Sequence, residues 1–228
     1  MAALVAYVLA LASGHAAPAT AQIAQENSAL IAAVRADGET KKTEALETGA
    51  LRASIGRAHR DKTGLHLRLS TGRDLLLSNH NDCPPPKEKF EQACVGYSLI
   101  ADVKSRGAYV VAVSYYEGGD YLVIDDHTGR TTKVGAPPQF GPDGQIFLTI
   151  DNNEAYGDGS VQLWKRQGDG FRPVWTDQHG YNRALVQDWS QPSAIRLRLE
   201  PISGEPPLPR PAATIVKDRV WHFVGPHP

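Results

Sequence analysis

From residue 64 to residue 224, short stretches with an apolar residue at every second position recur, each ended by glycine, proline, aspartate or asparagine. Leu65, Leu67 and Leu69 alternate with His66, Arg68 and Ser70, the period of two that gives a strand one dry face and one wet face. Thr71-Gly72 then turns the chain into a second stretch at 74–78. Others fall at 97–103, 109–115, 121–125, 131–134, 146–150, 161–165 and 171–175, with a last group at 185–189, 195–199, 213–216 and 220–224. Short strands divided by turn residues at this cadence predict an all-β architecture.

Some of the stretches recur as sets. GAYVVAVSYYEGGDYLVIDDHTGRTTKV, from Gly107, and DGQIFLTIDNNEAYGDGSVQLWKRQGDGFRPVW, from Asp143, share one order: apolar strand, acidic or glycine-rich turn, second strand, polar turn, third strand. A looser copy begins at Ser193. Units of this kind predict blade-like antiparallel sheets, each burying its faces against its neighbours. At the head of the second unit, Phe140-Gly141-Pro142-Asp143-Gly144 resembles the Phe-Ser-Pro-Asp-Gly turn that opens blades in TolB-like and WD40-like β-propellers, with Gly141 where serine is usual. The chain as a whole resembles exported bacterial proteins that carry such turns. That resemblance implies a small or incomplete β-propeller-like fold and no particular activity. Residues 64–224 would supply roughly four blades of about 40 residues each; a β-sandwich is the alternative use of the same strands.

The N-terminal part reads differently. Residues 2–12 (AALVAYVLALA) are uncharged and too short to anchor in a bilayer. Gly14 and Pro18 follow, then Ala19-Thr20-Ala21, a small-x-small pattern suited to signal peptidase. Residues 1–21 are therefore expected to be a secretory signal peptide cut after Ala21, with Ala16 the second choice, leaving a periplasmic or secreted chain without a membrane span. Residues 22–60 lack proline and place Ala29, Leu30, Ala33 and Val34 at helical spacing, with helix formers resuming at 41–51. They are expected to form a helical or partly mobile N-terminal arm, and residues 61–228 the all-β propeller-like domain.

Export bears on the chain's two cysteines, Cys83 and Cys94. In an oxidising compartment such an isolated pair is expected to form a disulfide, closing a loop that opens on Pro84 to Pro86. The spacing is not Cys-x-x-Cys, and no flanking histidine or cysteine completes a metal set.

A net charge of −1 supplies no broad basic face for nucleic acid or an anionic membrane. Beyond the signal, His59, His66, His80, His127, His179, His222 and His227 never stand three or four apart, so no helical metal motif arises. No Gly-x-Ser-x-Gly elbow, P-loop or dinucleotide fingerprint occurs, and no catalytic residue or cofactor is expected. Asp151, Asn153 and Asp158 offer oxygen donors to Ca²⁺ on a loop, but an EF-hand frame would need glycine and glutamate where Tyr156 and Gln162 stand, and a turn alone accounts for them. A second acidic group, Glu117, Asp120, Asp125 and Asp126, surrounds Gly118-Gly119. Asp125 and Asp126, being neighbours, are expected to point to opposite faces. Tyr116, Glu117, Asp120 and Tyr156 form the expected binding rim, because turn tyrosines suit recognition. The favoured reading is a non-catalytic binding protein for an unknown protein or envelope polymer. The alternative is a hydrolase of envelope carbohydrate or peptide using Glu117, Asp125 or Asp151.

Overall fold

The computed structural model describes residues 19–36, 40–80, 94–115, 118–151, 160–177, 184–191, 193–199, 212–217 and 220–224. Among the described residues, helices α1 (Ala19–Ala36) and α2 (Thr40–Ala53) precede strands arranged in four antiparallel sheets. The first sheet holds β1 (Ala58–Asp61), β2 (Gly64–Arg68) and β3 (Asp74–Leu77). The second holds β4 (Gly96–Val103), β5 (Ala108–Ser114), β6 (Gly119–Asp125) and β7 (Thr131–Val134). The third holds β8 (Gln139–Phe140), β9 (Ile146–Asp151), β10 (Ser160–Gln167) and β11 (Gly170–Asp177). The fourth holds β12 (Ala184–Gln191), β13 (Ala194–Leu199), β14 (Ala212–Lys217) and β15 (Trp221–Val224). In every sheet the spatial order follows the chain, so each is a meander.

Alternation along the strands decides how the sheets stack. In β5, Tyr109 and Val111 enter a core with Leu65 and Leu67 of the first sheet, while Ala108 and Val110 enter a core with Phe147 and Phe171 of the third. β9 repeats the device: Phe147 faces the second sheet, and Leu148 and Ile150 join Trp189, Ile195 and Ile215 of the fourth. The sheets are thus layered in series, with a hydrophobic core at each junction. Both end faces carry exposed charged or polar residues, His59, Arg68 and Asp74 on the first sheet and Asp188, Arg196 and Arg198 on the fourth, with Leu76 and Val224 exposed among them. No core among the described residues joins the fourth sheet to the first.

The sequence repeats cover only three of the four strands in the second, third and fourth sheets. The missing member is the preceding one, β4, β8 or β12. In β4 a register shift between Leu99 and Ala101 interrupts the alternation, so Leu99 faces the first sheet while Ile100 and Ala101 face the third. β8 is short because it is the start of the Phe140–Gly144 turn itself, closed by Gly141 N–H donating to the Ile146 carbonyl at 2.9 Å. Glycine at 141 has a local cause. A Cβ there would stand 3.2 Å from Trp189 Cε2 and 3.3 Å from the Ile146 carbonyl oxygen, so the serine usual in such turns would crowd the fourth sheet.

The N-terminal arm is packed. Leu30 and Ala33 of α1 lie in the core between the second and third sheets, and Ala50 of α2 lies in the core between the first and second. α1 starts at Ala19, ahead of the expected cleavage position, and β1 starts at Ala58, ahead of the expected boundary at 61. The helices cover β4, which is an edge strand. Glu47 of α2 accepts from the Leu99 N–H at 3.2 Å and from Arg60 at 3.0 Å, and Arg60 donates to the Tyr97 carbonyl. These side chains satisfy backbone groups that an edge strand leaves open. Leu30→Ala is expected to destabilise the protein by about 2–4 kcal/mol in urea unfolding; a mobile arm would show no loss.

Candidate functional site

Of the rim residues expected from sequence, Asp120 is described, while Tyr116, Glu117 and Tyr156 lie outside the described residues. Asp120 sits near the start of β6 and pairs with Lys133 of β7 at 2.6 Å. Lys133 also lies 5.2 Å from the ring centre of half-buried Tyr115. Burial raises the Tyr115 hydroxyl, and donating to Asp120 and Tyr115 raises the Lys133 ammonium, so the trio is a charged hairpin end. Of the Ca²⁺ candidates, Asp151 ends β9, whereas Asn153 and Asp158 lie outside the described residues, as does Cys83. Tyr121 is buried in the second sheet.

The second acidic group is not a cluster. Asp120 and Asp125 stand near opposite ends of β6, about 17 Å of strand apart at ~3.3 Å per residue. Asp125 and Asp126 instead join a charged seam where β6 ends. Asp125 accepts from the N–H groups of His127 at 3.1 Å and Thr128 at 2.9 Å, from the Thr128 hydroxyl, and from Arg166 of β10. Burial alone would raise its pKa, but the Thr128 and Arg166 hydrogen bonds outweigh it and hold the carboxyl below the usual range. Asp126 turns the other way and accepts from Arg57, just before β1, at 3.1 Å. The neighbours do point to opposite faces, one tied toward the third sheet and one toward the first.

Further along the same end, Glu26 of α1 meets Arg106 at 3.2 Å, both side chains nearly dry, and Arg106 donates to the Gly141 carbonyl at 3.1 Å. Asp102 is the costly member. Its side chain is 2 % exposed, with Arg57 Nε at 3.1 Å and Lys104 Nζ at 3.8 Å. Neither oxygen has an aligned hydrogen bond, because Arg57 Nε donates to the Tyr109 hydroxyl, which donates in turn to the Arg68 carbonyl. Burial outweighs the two cations and pushes the Asp102 carboxyl up to about 6; burial also pushes the Tyr109 hydroxyl up to about 12. Sequence reading missed Asp102, Arg57 and Arg166 because they are lone charges far apart in the chain, brought together by sheet stacking.

A second polar group lies on the outer face of the first sheet. His59 of β1 pairs in register with His66 of β2, and their rings stack at 4.5 Å with planes 9° apart. Asp61 stands two residues from His59 on the same face, its Oδ1 3.1 Å from His66 Nε2. The Thr63 hydroxyl and then its N–H donate to Asp61 and hold that carboxyl well below the usual range. Gly64 makes the hairpin feasible: with φ of 146°, it lets β2 approach β3 where a Cβ would stand 2.2 Å from the Leu77 carbonyl oxygen. Reading residues 62–63 as a two-residue hairpin turn is the sequence signal that would have set the two imidazoles opposite one another.

No family model and no curated protein matches the chain.

Because Asp102 is raised, its neutral form is favoured in the fold, and its contribution to stability is lost as pH rises through about 6. Asp102→Asn should therefore gain on the parent protein by about 2.5 kcal/mol between pH 4 and pH 8, given ~1.4 kcal/mol per pKa step and an unfolded carboxyl already partly ionised at pH 4. Urea titrations at the two pH values test this; an equal difference at both would mean Asp102 is charged throughout.

Proposed function

We propose that this chain is an exported, non-catalytic binding protein, periplasmic or secreted, in which an incomplete propeller-like stack presents hairpin ends to a protein or envelope polymer. Two features support the blade-like reading. Each sheet is a sequential meander, and the middle sheets bury both faces against neighbours, as blades do.

The observation that carries the binding reading is the state of Asp125. The hydrolytic alternative draws on this carboxylate, yet it accepts from three turn donors and an arginine and is held ionised. A general acid needs a raised pKa and an open path to substrate. The surface left for a partner is the hairpin end around Tyr115, Asp120 and Lys133, next to Tyr116 and Glu117 in sequence. There a charged pair lies against an aromatic ring, a combination suited to recognition.

The test is retention of the purified protein on cell-wall sacculi and on immobilised envelope proteins. Asp120→Ala and Tyr116→Ala are each expected to lower retention about tenfold, on the scale of an interface contact, while melting changes little in Asp120→Ala because an ion pair whose lysine is largely exposed contributes about 1 kcal/mol or less. Soluble sugar or peptide fragments released from the sacculi would overturn the reading in favour of hydrolysis.

Export also carries the proposal that Cys83 and Cys94 form a staple, consistent with Cys94 not being a free thiol. Cys83→Ser should then destabilise the protein by about 2–3 kcal/mol through the closed loop it opens. Unchanged unfolding on treating the parent protein with a thiol reductant would contradict the staple.

A further inference from the structure

We propose that His59, Asp61 and His66 form a surface site for a first-row divalent transition-metal ion, with Zn²⁺ as its simplest occupant. The site goes beyond the partner-binding reading and stands or falls independently of it, since it lies on the outer face of the first sheet rather than on the hairpin end of the second.

Three observations carry it. The first is donor type. Two imidazole nitrogens and one carboxylate oxygen are the set that borderline ions such as Zn²⁺, Ni²⁺ and Cu²⁺ take, whereas Ca²⁺ and Mg²⁺ prefer oxygen alone. The second is reach. One donor atom from each side chain lies within 4.8 Å of both others. Donors bound to a tetrahedral ion at about 2.1 Å stand roughly 3.4 Å apart, so small rotations of exposed side chains close the set without moving backbone. The third is preorganisation. The directly paired positions of an antiparallel ladder hold His59 and His66 side by side. The Thr63 hydrogen bonds to Asp61 fix the third ligand at the mouth of the hairpin.

Two features define the kind of site. His59 and Asp61 are exposed and His66 is half-buried, so the remaining coordination positions open to solvent. In sites with three protein ligands, that opening holds water or a donor from another molecule. Thr63 Oγ also lies 2.9 Å from His66 Nε2, so the ion would displace that contact as it takes the nitrogen, leaving the Thr63 hydroxyl to its bond with Asp61. The ion would replace the present His66–Asp61 contact with two bonds to itself.

The experiment is calorimetric titration of the full mature chain with Zn²⁺ alone, followed by the imidazole resonances in NMR. One equivalent of saturable heat is expected, with shifts confined to the His59 and His66 ring signals. His59→Ala and His66→Ala should each weaken binding by about 10–100-fold or more, the range seen for lesser changes around metal sites, while His127→Ala leaves it unchanged. Because the ring signals are read on the parent protein, the proposal remains testable even if a variant folds poorly. Absence of saturable heat, or Zn²⁺ binding that survives in the His59→Ala/His66→Ala double variant, overturns it; Ca²⁺ competing as well as Ni²⁺ would overturn the donor argument.

Discussion

A sheet that is apolar on both faces cannot be an outer layer, and the second sheet is such a sheet. Tyr109, Val111 and Ile124 must be covered on one side, Ala108, Val110 and Val123 on the other. The first and third sheets cover them, and the third, two-faced in its turn, needs the fourth. Serial layering follows from this demand alone. The area buried is apolar and non-directional, so it does not by itself fix how one sheet sits on the next. Directional groups at the sheet ends do that. Asp125 and Asp126 diverge from the end of β6, one toward Arg166 and one toward Arg57. Smaller ties follow the same plan: Val186 N–H donates to Gln139 at 2.7 Å, and Phe171 N–H donates to Thr132 at 3.2 Å.

The helices complete the second sheet at its edge. β4 would otherwise present open backbone groups, and Glu47 and Arg60 occupy them. Glu26 and Arg106 pin α1 at the same end of the molecule. Buried pairs of this sort cost desolvation that roughly cancels their attraction, so their contribution is orientation more than stability. Asp102 shows the cost uncancelled: two cations stand near it, yet burial still favours its neutral form. Asp102 is thus a buried acid poised near neutrality, close to two of the molecule's cations, Arg57 and Lys104.

Strand positions were legible because each core-facing residue announces itself by alternation. Leu65 and Leu67, Val110, Val123 and Ile195 all lie buried on strands where the period of two places them. β1 was not legible, since Ala58-His59-Arg60-Asp61 has only one apolar residue and owes its place to pairing with β2. The fourth strand of each unit escaped the repeat for the same kind of reason: β8 is two residues of a turn, and β4 is broken by its bulge. The charged seam had no local signal at all. Arg57, Asp102 and Asp126 are far apart in sequence, and only the stacking of two sheets brings both carboxylates to 3.1 Å from the Arg57 guanidinium. The acidic group around Gly118 erred in the opposite sense, treating residues close in sequence as close in space, which an extended strand forbids.

The central claim is that β6 ties its two neighbours separately, through adjacent carboxylates facing opposite ways. Native-state hydrogen exchange on Asp125→Asn and Asp126→Asn tests it most directly, because exchange reports protection sheet by sheet. Loosening the Arg57 tie in Asp126→Asn should lower protection in β1 to β3 and spare β9, β10 and β13. Loosening the Arg166 tie in Asp125→Asn should do the reverse. Uniform loss in both variants, or protection unchanged in either, would contradict the account.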